Sequence, residues 1–508
     1  MTLRVVNGSS NASSGGSSCA ECHRRKQKCN RNFPCENCRK RGVAHLCVPK
    51  PGASSQSRLE SEDNGTPPDG DSEDDGNSDV DISGALSGLG YMSHHYHLVL
   101  GQGPGPKTGR DLREETEVEQ SEELKAVLPL MPEKRHTDVL VDNFLDGANH
   151  HYYALYPPEF RTQYDGWWAT PRDKVTPELT SLILRVCGCS LHFIIGDSVR
   201  EMLEAELKTD VLTFADRMHT AAEKLGASIR PGKGGLIHIQ QLFLTAFWYK
   251  SAEKWTDAWH ALGKAVLAAK EINVDNIDAQ SEGMSKFDRE MRRRMWTILY
   301  MWDFALSTLL SRPLLINHAE CTVMMPTLTL ENSPERPGQP SPFCHIKLHC
   351  QLCIGMAPQL GVPSDSDADK ADAARRLKLV VDTWFANLPA EYALENPDVR
   401  WDDELGCVVF QRRYLHLIGY MSLFGPLRPF ITRNSGEHMS NLELSLRAAG
   451  VEAALGLMHR SWIFFENLKT MGAKFHYVIF CIFDTATVLC SAFVKDEARN
   501  LPQRENAF

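Results

Sequence analysis

The sequence predicts a mostly α-helical protein with a small cysteine-rich module, a disordered acidic linker and a large all-α domain. Six cysteines lie between residues 19 and 47, and the stretch that follows is rich in Ser, Gly, Asp and Glu. From about residue 136, apolar residues recur at steps of three and four, which indicates amphipathic helices. A chain of 508 residues is also too long for one core. The predicted parts are a disordered N-terminus (1–18), the cysteine module (19–49), a flexible linker (50–135) and a helical domain (136–500).

The cysteines of the module have a spacing that suits a metal cluster. The pattern C-x2-C-x6-C-x5-C-x2-C-x8-C is formed by Cys19, Cys22, Cys29, Cys35, Cys38 and Cys47. A C-x2-C pair can present two thiolates to one metal ion, and a structural zinc ion takes four protein ligands in a tetrahedron. Three cysteines in each half leave each zinc one ligand short unless two thiolates bridge both metals. The count therefore predicts a cluster of two Zn2+ ions.

Two other arrangements of these cysteines are less favoured. A disulfide framework suits a secreted protein, but residues 1–18 are rich in Gly, Ser and Asn and lack the apolar core of a signal peptide. Separate buried thiols would need a hydrophobic core, which this stretch does not supply because it holds few other apolar residues. The module should therefore depend on its metal and unfold in a chelator.

Basic residues surround the cysteines. Residues 19–50 hold nine Lys and Arg against two acidic residues, a net charge of +7, although the whole chain carries −10. The nine are Arg24, Arg25, Lys26, Lys28, Arg31, Arg39, Lys40, Arg41 and Lys50. Such a density indicates a phosphate-backbone partner, and binding that releases counterions weakens steeply with salt. A nucleic acid is therefore the predicted partner.

The module resembles the DNA-binding domain of the fungal binuclear zinc-cluster transcription factors of the galactose-regulator type. The match covers all six cysteines, Pro34 in the loop and the basic run between the second and third cysteines. In that family the first and fourth cysteines bridge the metals, which implies bridges at Cys19 and Cys35. The other two cysteines of each half would then complete one zinc site each.

The resemblance implies that the partner is double-stranded DNA, and it also implies which side chains contact it. The family's base readers are the third and fourth residues after the second cysteine, which here are Arg25 and Lys26. Arg or Lys donating to guanine is the commonest base contact, so the implied target is a CGG-like triplet in the major groove. His23 stands where the family often has arginine. Phosphate contacts, which position the protein without specifying sequence, are expected from Arg24, Lys28, Arg39, Lys40 and Arg41.

The stretch after the module is predicted to be a flexible linker. Residues 51–82 hold ten acidic residues against Arg58 alone, a net charge of −9, and show almost no apolar periodicity. Many members of the family have a leucine heptad helix soon after the cluster, but residues 50–120 contain no sustained a/d repeat. Monomeric binding and a homodimer through the helical domain both stay open.

The C-terminal part is predicted to be one all-α domain. Two of its segments, 239–274 and 292–316, resemble the middle homology region of the same regulators. The resemblance implies that this domain regulates the DNA-binding module. The predicted helical stretches are 176–195, 199–226, 236–250, 252–273, 286–310, 342–358, 368–388, 405–424, 439–468 and 473–495.

Two charged features of the stretch 286–310 lead to structural expectations. Asp303 follows the same three- and four-residue pattern as its apolar neighbours, and a buried unpaired carboxylate costs several kcal/mol. We expect Arg312, just past the end of this helix, to form a structural pair with Asp303. The triplet Arg292–Arg294 is expected to be a solvated face, because acidic residues lie one helical turn earlier.

The favoured function is sequence-specific regulation of transcription by RNA polymerase II, in the nucleus. The alternative is a zinc-stabilised RNA-binding or protein-docking module on a helical scaffold. Readers of single-stranded RNA stack bases on aromatic side chains, and Phe33 is the single Phe, Tyr or Trp inside the cluster. Further candidate partners are transcriptional coregulators and a small-molecule effector.

No enzymatic activity is predicted. The sequence has no phosphate loop, no G-x-S-x-G elbow and no H-E-x-x-H motif. Cys350 and Cys353 form a lone C-x2-C pair on an apolar helical stretch, which predicts buried thiols. A membrane is not expected as a partner, because no run of about 18 apolar residues is present.

Overall fold

The structure is a computed structural model that describes part of the chain. The described residues are 22, 28–30, 34–41, 43, 47, 121–194, 196–276, 283–318, 321, 324–332, 334–359, 366–433, 438–471, 477–496 and 499–505. The chain divides into two units, residues 1–82 and 83–508. Residues 50–120 of the predicted linker (50–135) lie outside the described residues. The described part of the smaller unit contains the short α-helix α1 (Glu36–Lys40).

The larger unit is built from helices, and no strand occurs among its described residues, which confirms the predicted fold class. Short 3-10 helices join or extend several of them at Leu128–Leu130, Ala148–His151, Ala357–Gln359 and Ala390–Tyr392. The α-helices are α2 (Glu122–Val127), α3 (Lys134–Asp146), α4 (Pro157–Ala169), α5 (Pro177–Ser190), α6 (Asp197–Leu207), α7 (Val211–Ser228), α8 (Gly235–Ser251), α9 (Trp255–Glu271), α10 (Lys286–Leu310), α11 (Cys344–Met356), α12 (Asp367–Ala386), α13 (Gly406–Ile431), α14 (Asn441–Met471) and α15 (Tyr477–Lys495).

Helix boundaries differ from the prediction where a cap interrupts an apolar pattern. The stretch predicted as one helix, 199–226, is split into α6 and α7. Lys208 ends α6 in the left-handed conformation with φ of 53°. Asp210 then caps α7, because its Oδ1 accepts a hydrogen bond from the Thr213 amide at 2.9 Å. The described helices also begin at Glu122, so the predicted domain boundary at residue 136 falls inside α3.

The larger unit has an apolar core to which nearly all of its helices contribute. Helix α13 packs along α14, α8 along α9, and α5 along α7. Glycine allows a close approach at two of the contacts. A Cβ at Gly419 of α13 would overlap the Phe385 ring of α12, and one at Gly456 of α14 would overlap the Tyr420 ring of α13. These rings therefore pack directly on helix backbone.

The arginine triplet at the start of α10 is not a solvated face, so that expectation is wrong for Arg294. This side chain is 1% exposed and forms ion pairs with Glu290, at 3.1 Å from Nε, and with Glu331, at 2.9 Å from Nη2. Glu290 also accepts hydrogen bonds from the amides of Thr327 and Leu328, at 2.9 and 3.1 Å. The network ties α10 to the segment 324–332, a contact between residues distant in sequence.

Asp303 is fully buried in α10, as its place in the apolar pattern predicted. Its carboxylate accepts hydrogen bonds from the amides of Leu315, at 2.9 Å, and Ile316, at 2.8 Å. The Ser307 hydroxyl donates to it at 3.0 Å, and His318 Nε2 lies 3.1 Å away. Asp303 therefore fixes the chain that leaves the helix.

The predicted pair between Asp303 and Arg312 is wrong. Among the described residues, His318 Nε2 lies 3.1 Å from the Asp303 carboxylate, and Arg312 is exposed. Helix α10 ends at Ser311, which has φ of 51° and turns the chain back over the helix. This turn brings two backbone amides onto the carboxylate, so the buried charge is satisfied without a guanidinium.

Helix α15 is the one helix among the described residues that meets the length and composition criteria for a membrane span. Its 19 residues are long and apolar enough to cross a membrane, even though Asp484 interrupts the apolar run. A single helix of this kind is weak evidence, because the core helix of a soluble protein meets the same criteria. Helix α15 packs against α13 and α14.

Candidate zinc cluster and DNA-binding surface

Cys35 begins the short helix of the cysteine module. Its carbonyl accepts hydrogen bonds from the amides of Cys38, at 3.0 Å, and Arg39, at 2.9 Å. Its own amide donates to the sulfur of Cys47 at 3.1 Å. The second C-x2-C pair therefore lies on the first turn of α1, where both sulfurs can face one metal ion.

The sulfur atoms form two overlapping groups. One group is Cys22, Cys29 and Cys35, and the other is Cys35, Cys38 and Cys47; in each group the sulfurs lie within 4.8 Å of one another. Cys35 belongs to both groups. None of these five described cysteines forms a disulfide.

The sulfur separations suit zinc. Cys22 Sγ and Cys35 Sγ are 3.5 Å apart. Two sulfurs at about 2.3 Å from one tetrahedral zinc are roughly 3.8 Å apart, whereas a disulfide bond is about 2.05 Å long. The described donor set, in which all thiols except that of Cys29 are buried, therefore fits two zinc ions, which are the predicted cofactor.

The environment of Cys35 favours the thiolate that binds zinc. Desolvation raises the pKa of the Cys35 thiol, but hydrogen bonds from the Cys38 amide and from neighbouring thiols outweigh it and bring the pKa to about 6. Cys22, Cys35 and Cys38 are fully buried. A thiolate is the form of cysteine that ligates a metal ion.

Two asparagines, which the sequence analysis did not single out, hold the module together. Asn37 Nδ2 of α1 donates to the Lys28 carbonyl at 2.8 Å. The Glu36 amide donates to Asn30 Oδ1 at 3.3 Å. These bonds tie the start of α1 to residues 28–30. The signal in the sequence is the short polar side chain, which commonly bonds to nearby backbone.

The predicted phosphate-binding side chains differ in exposure. Lys28, Arg39 and Lys40 are exposed. Lys40 is 3.7 Å from Glu36 in an ion pair between two exposed side chains, which contributes little to stability.

Arg41 points into the module instead. Its Nε donates to the Asn37 carbonyl at 2.9 Å. Its two terminal nitrogens are buried, with no hydrogen-bond partner among the described residues. This placement favours a bracing role for Arg41 over phosphate contact. Cys19 and the other predicted DNA-contact residues, Arg24, Arg25 and Lys26, lie outside the described residues.

The expectation for the lone C-x2-C pair in the larger unit agrees with the structure. Cys350 and Cys353 of α11 are both buried. Burial raises the pKa of each thiol far above its usual value. Such thiols are poor nucleophiles and poor metal ligands.

Two parts of the chain match known protein families. Residues 17–57 match the family described as the fungal Zn(2)-Cys(6) binuclear cluster domain. Residues 141–360 match the fungal specific transcription factor domain. The second match begins within α3, spans α4 to α11 and ends before α12.

Curated transcription factors and a transcriptional regulatory protein are similar to this chain over much of its length. A probable transcription factor from Alternaria solani, sol4, is 25% identical over 72% of this chain and 67% of its own length. The transcription factor xilB of Penicillium rubens is 24% identical over 81% of this chain and 67% of its own length. An uncharacterized transcriptional regulatory protein of Schizosaccharomyces pombe, C1F7.11c, is 21% identical over 74% of this chain and 55% of its own length.

Proposed function

Because the chain is a Zn(2)-Cys(6) fungal transcription factor and a DNA-binding regulator, we propose that its six cysteines share two zinc ions. The proposed bridging ligands are Cys19 and Cys35. The observation that supports this assignment is the presence of Cys35 in both sulfur groups. Cys22 and Cys29 then complete one zinc site, and Cys38 and Cys47 complete the other.

Arg25 and Lys26 are the proposed readers of a CGG-like triplet. They lie in the basic run between the second and third cysteines, within a module of net charge +7. When a metal cluster holds both ends of this run, its side chains reach the major groove with little loss of entropy. Bidentate donation to guanine supplies the sequence preference.

Lys28, Arg39 and Lys40 are proposed to contact phosphates, together with Arg24. The first three are exposed on the module, as phosphate contacts require. Arg41 is left out of this set because its terminal nitrogens are buried. Each phosphate contact should contribute to the slope of affinity against salt rather than to the choice of sequence.

The helical unit is proposed to be a regulatory domain that acts in the nucleus. Its match to the fungal specific transcription factor domain supports this role. The proposed partners beyond DNA are transcriptional coregulators and a second copy of the chain. The family is not a class of enzymes.

Selection from random DNA duplexes tests the proposal. The wild-type chain should enrich one or two CGG-like triplets, and their number and spacing should show whether it binds as a monomer or a dimer. Arg25→Ala or Lys26→Ala should abolish the enrichment, whereas Lys174→Ala, which removes an exposed lysine of the helical unit, should leave it unchanged.

Two outcomes would contradict the proposal. Equal affinity for single strands and duplexes would favour the RNA-binding alternative. A zinc content below two per chain, measured with all six thiols reduced, would remove the proposed cluster.

A further inference from the structure

An apolar cavity lies inside the helical unit, between α8, α10, α11 and α13. Its volume is about 470 Å3, which falls within the range of about 300–1,000 Å3 typical of small-molecule sites. Its apolar walls include Trp302 and Leu309 of α10, Leu352 and Met356 of α11, and Ile418 of α13. The cavity is therefore large enough for a small organic ligand.

A small set of polar groups converges on this cavity. Lys250 Nζ donates a hydrogen bond to the Tyr152 hydroxyl at 2.9 Å. The same ammonium lies 5.8 Å from the centre of the Trp302 ring. On the cavity lining, the Tyr414 hydroxyl is 3.0 Å from His349 Nδ1. A ligand site usually has mostly apolar walls and a few polar groups, which fix the orientation of the ligand.

Lys250 determines the charge that the cavity can accept. Among the described residues that line the cavity there is no Asp, Glu or Arg. Burial lowers the pKa of His349 to about 3, so this imidazole is neutral at physiological pH. Lys250 is thus the lining residue that can carry a positive charge there.

The ammonium of Lys250 is held in an unfavourable place. Burial lowers its pKa to about 7, so the charged form is only half populated near neutrality. An opposite charge within about 4–6 Å favours the charged form of such a group. An anion entering the cavity would therefore gain a charge-assisted hydrogen bond, and a neutral or cationic ligand would not.

We propose that this cavity binds a small apolar carboxylate. The acid group contacts Lys250 Nζ and the Tyr152 hydroxyl, and the apolar body fills the space beside Trp302. This inference goes beyond DNA binding and does not depend on the zinc module. A site of this kind gives the helical unit a ligand class that the family matches do not name.

Calorimetric titration of the full chain with dodecanoate, below its micelle concentration, tests the proposal. Quenching of tryptophan fluorescence gives a second readout, because Trp255 and Trp302 line the cavity. Dodecanoate should bind once per chain and at least tenfold more tightly than dodecanol or dodecylamine, which have the same apolar body. Equal affinity for the three ligands, or no binding of dodecanoate, would overturn the proposal.

Variants assign the binding to the cavity. Lys250→Met should weaken the affinity for dodecanoate at least tenfold and change the affinity for dodecanol less than threefold. Lys264→Met, which removes an exposed lysine of α9, should change neither. Ala305→Phe places a ring in the cavity without changing its charge. This variant should weaken the binding of both ligands. Undiminished dodecanoate binding by the Lys250→Met variant would overturn the proposal. If that variant does not fold, undiminished binding by Ala305→Phe would overturn it.

Discussion

Replacing Asp303 should destabilise the helical unit far more than replacing Arg312. Asp303→Ala removes the acceptor of two backbone amides, at Leu315 and Ile316, and of the Ser307 hydroxyl. Each buried donor left without a partner costs about 1–3 kcal/mol. With two amides affected, the expected loss for this variant is about 2–6 kcal/mol.

Arg312→Ala is the matched comparison. Arg312 is exposed, and substitution of an exposed side chain usually changes the free energy of unfolding by less than about 0.5 kcal/mol. Asp303→Asn should fall between the two variants, because it keeps one acceptor oxygen but turns an NH2 group toward the amides.

Urea unfolding followed by tryptophan fluorescence measures these differences. All ten tryptophans lie between residues 167 and 462, so the signal comes from the helical unit and not from the cysteine module. Asp303→Ala should shift the midpoint strongly to lower urea, and Arg312→Ala should leave it unchanged. An equal shift for the two variants would refute the structural account and restore the Asp303–Arg312 pair.

Three further predictions concern the metal, the helix contacts and pH. Cys35→Ser should reduce the zinc content from two to below one per chain by elemental analysis, because Cys35 belongs to both sulfur groups, whereas Cys490→Ser at an exposed thiol should retain two. Gly419→Ala should lower the urea midpoint because the new Cβ overlaps Phe385. Gly166→Ala, which has open space around it, should raise the free energy of unfolding by about 0.5–1 kcal/mol. A higher midpoint for both variants would contradict the packing. Buried histidines should make the helical unit sensitive to acid, because burial lowers their pKa in the folded state. The stability they contribute above pH 6.5 is lost as the pH falls below that value, by about 1.4 kcal/mol per histidine at pH 5.5. An unchanged urea midpoint between pH 7.5 and pH 5.5 would contradict this prediction. These residues are His219, His345, His349 and His416, with pKa values of about 2, 4, 3 and 4.

The sequence was sufficient for features that depend on local spacing. Cysteine spacing fixes which sulfurs can share a metal, because a C-x2-C pair needs only one turn of backbone. Apolar periodicity likewise predicted most helices and the burial of Asp303. Neither signal depends on contacts between distant parts of the chain.

Features that depend on distant contacts were missed or predicted wrongly. The partners of Asp303 are backbone amides, which every residue has, so no side chain identifies them in the sequence. Arg294 has its expected neighbour Glu290 one turn away, but its burial follows from Glu331 in a later loop. The apolar pattern also continues across the break at Lys208, so periodicity alone could not separate α6 from α7.

The position of Cys35 has a consequence for how the module assembles. One residue supplies the first carbonyl of α1 and the sulfur common to both groups. Binding of zinc at Cys35 and ordering of the first turn of α1 should therefore be coupled, because both depend on this residue. Removal of the metal ions should then disorder α1 together with the cysteine cluster.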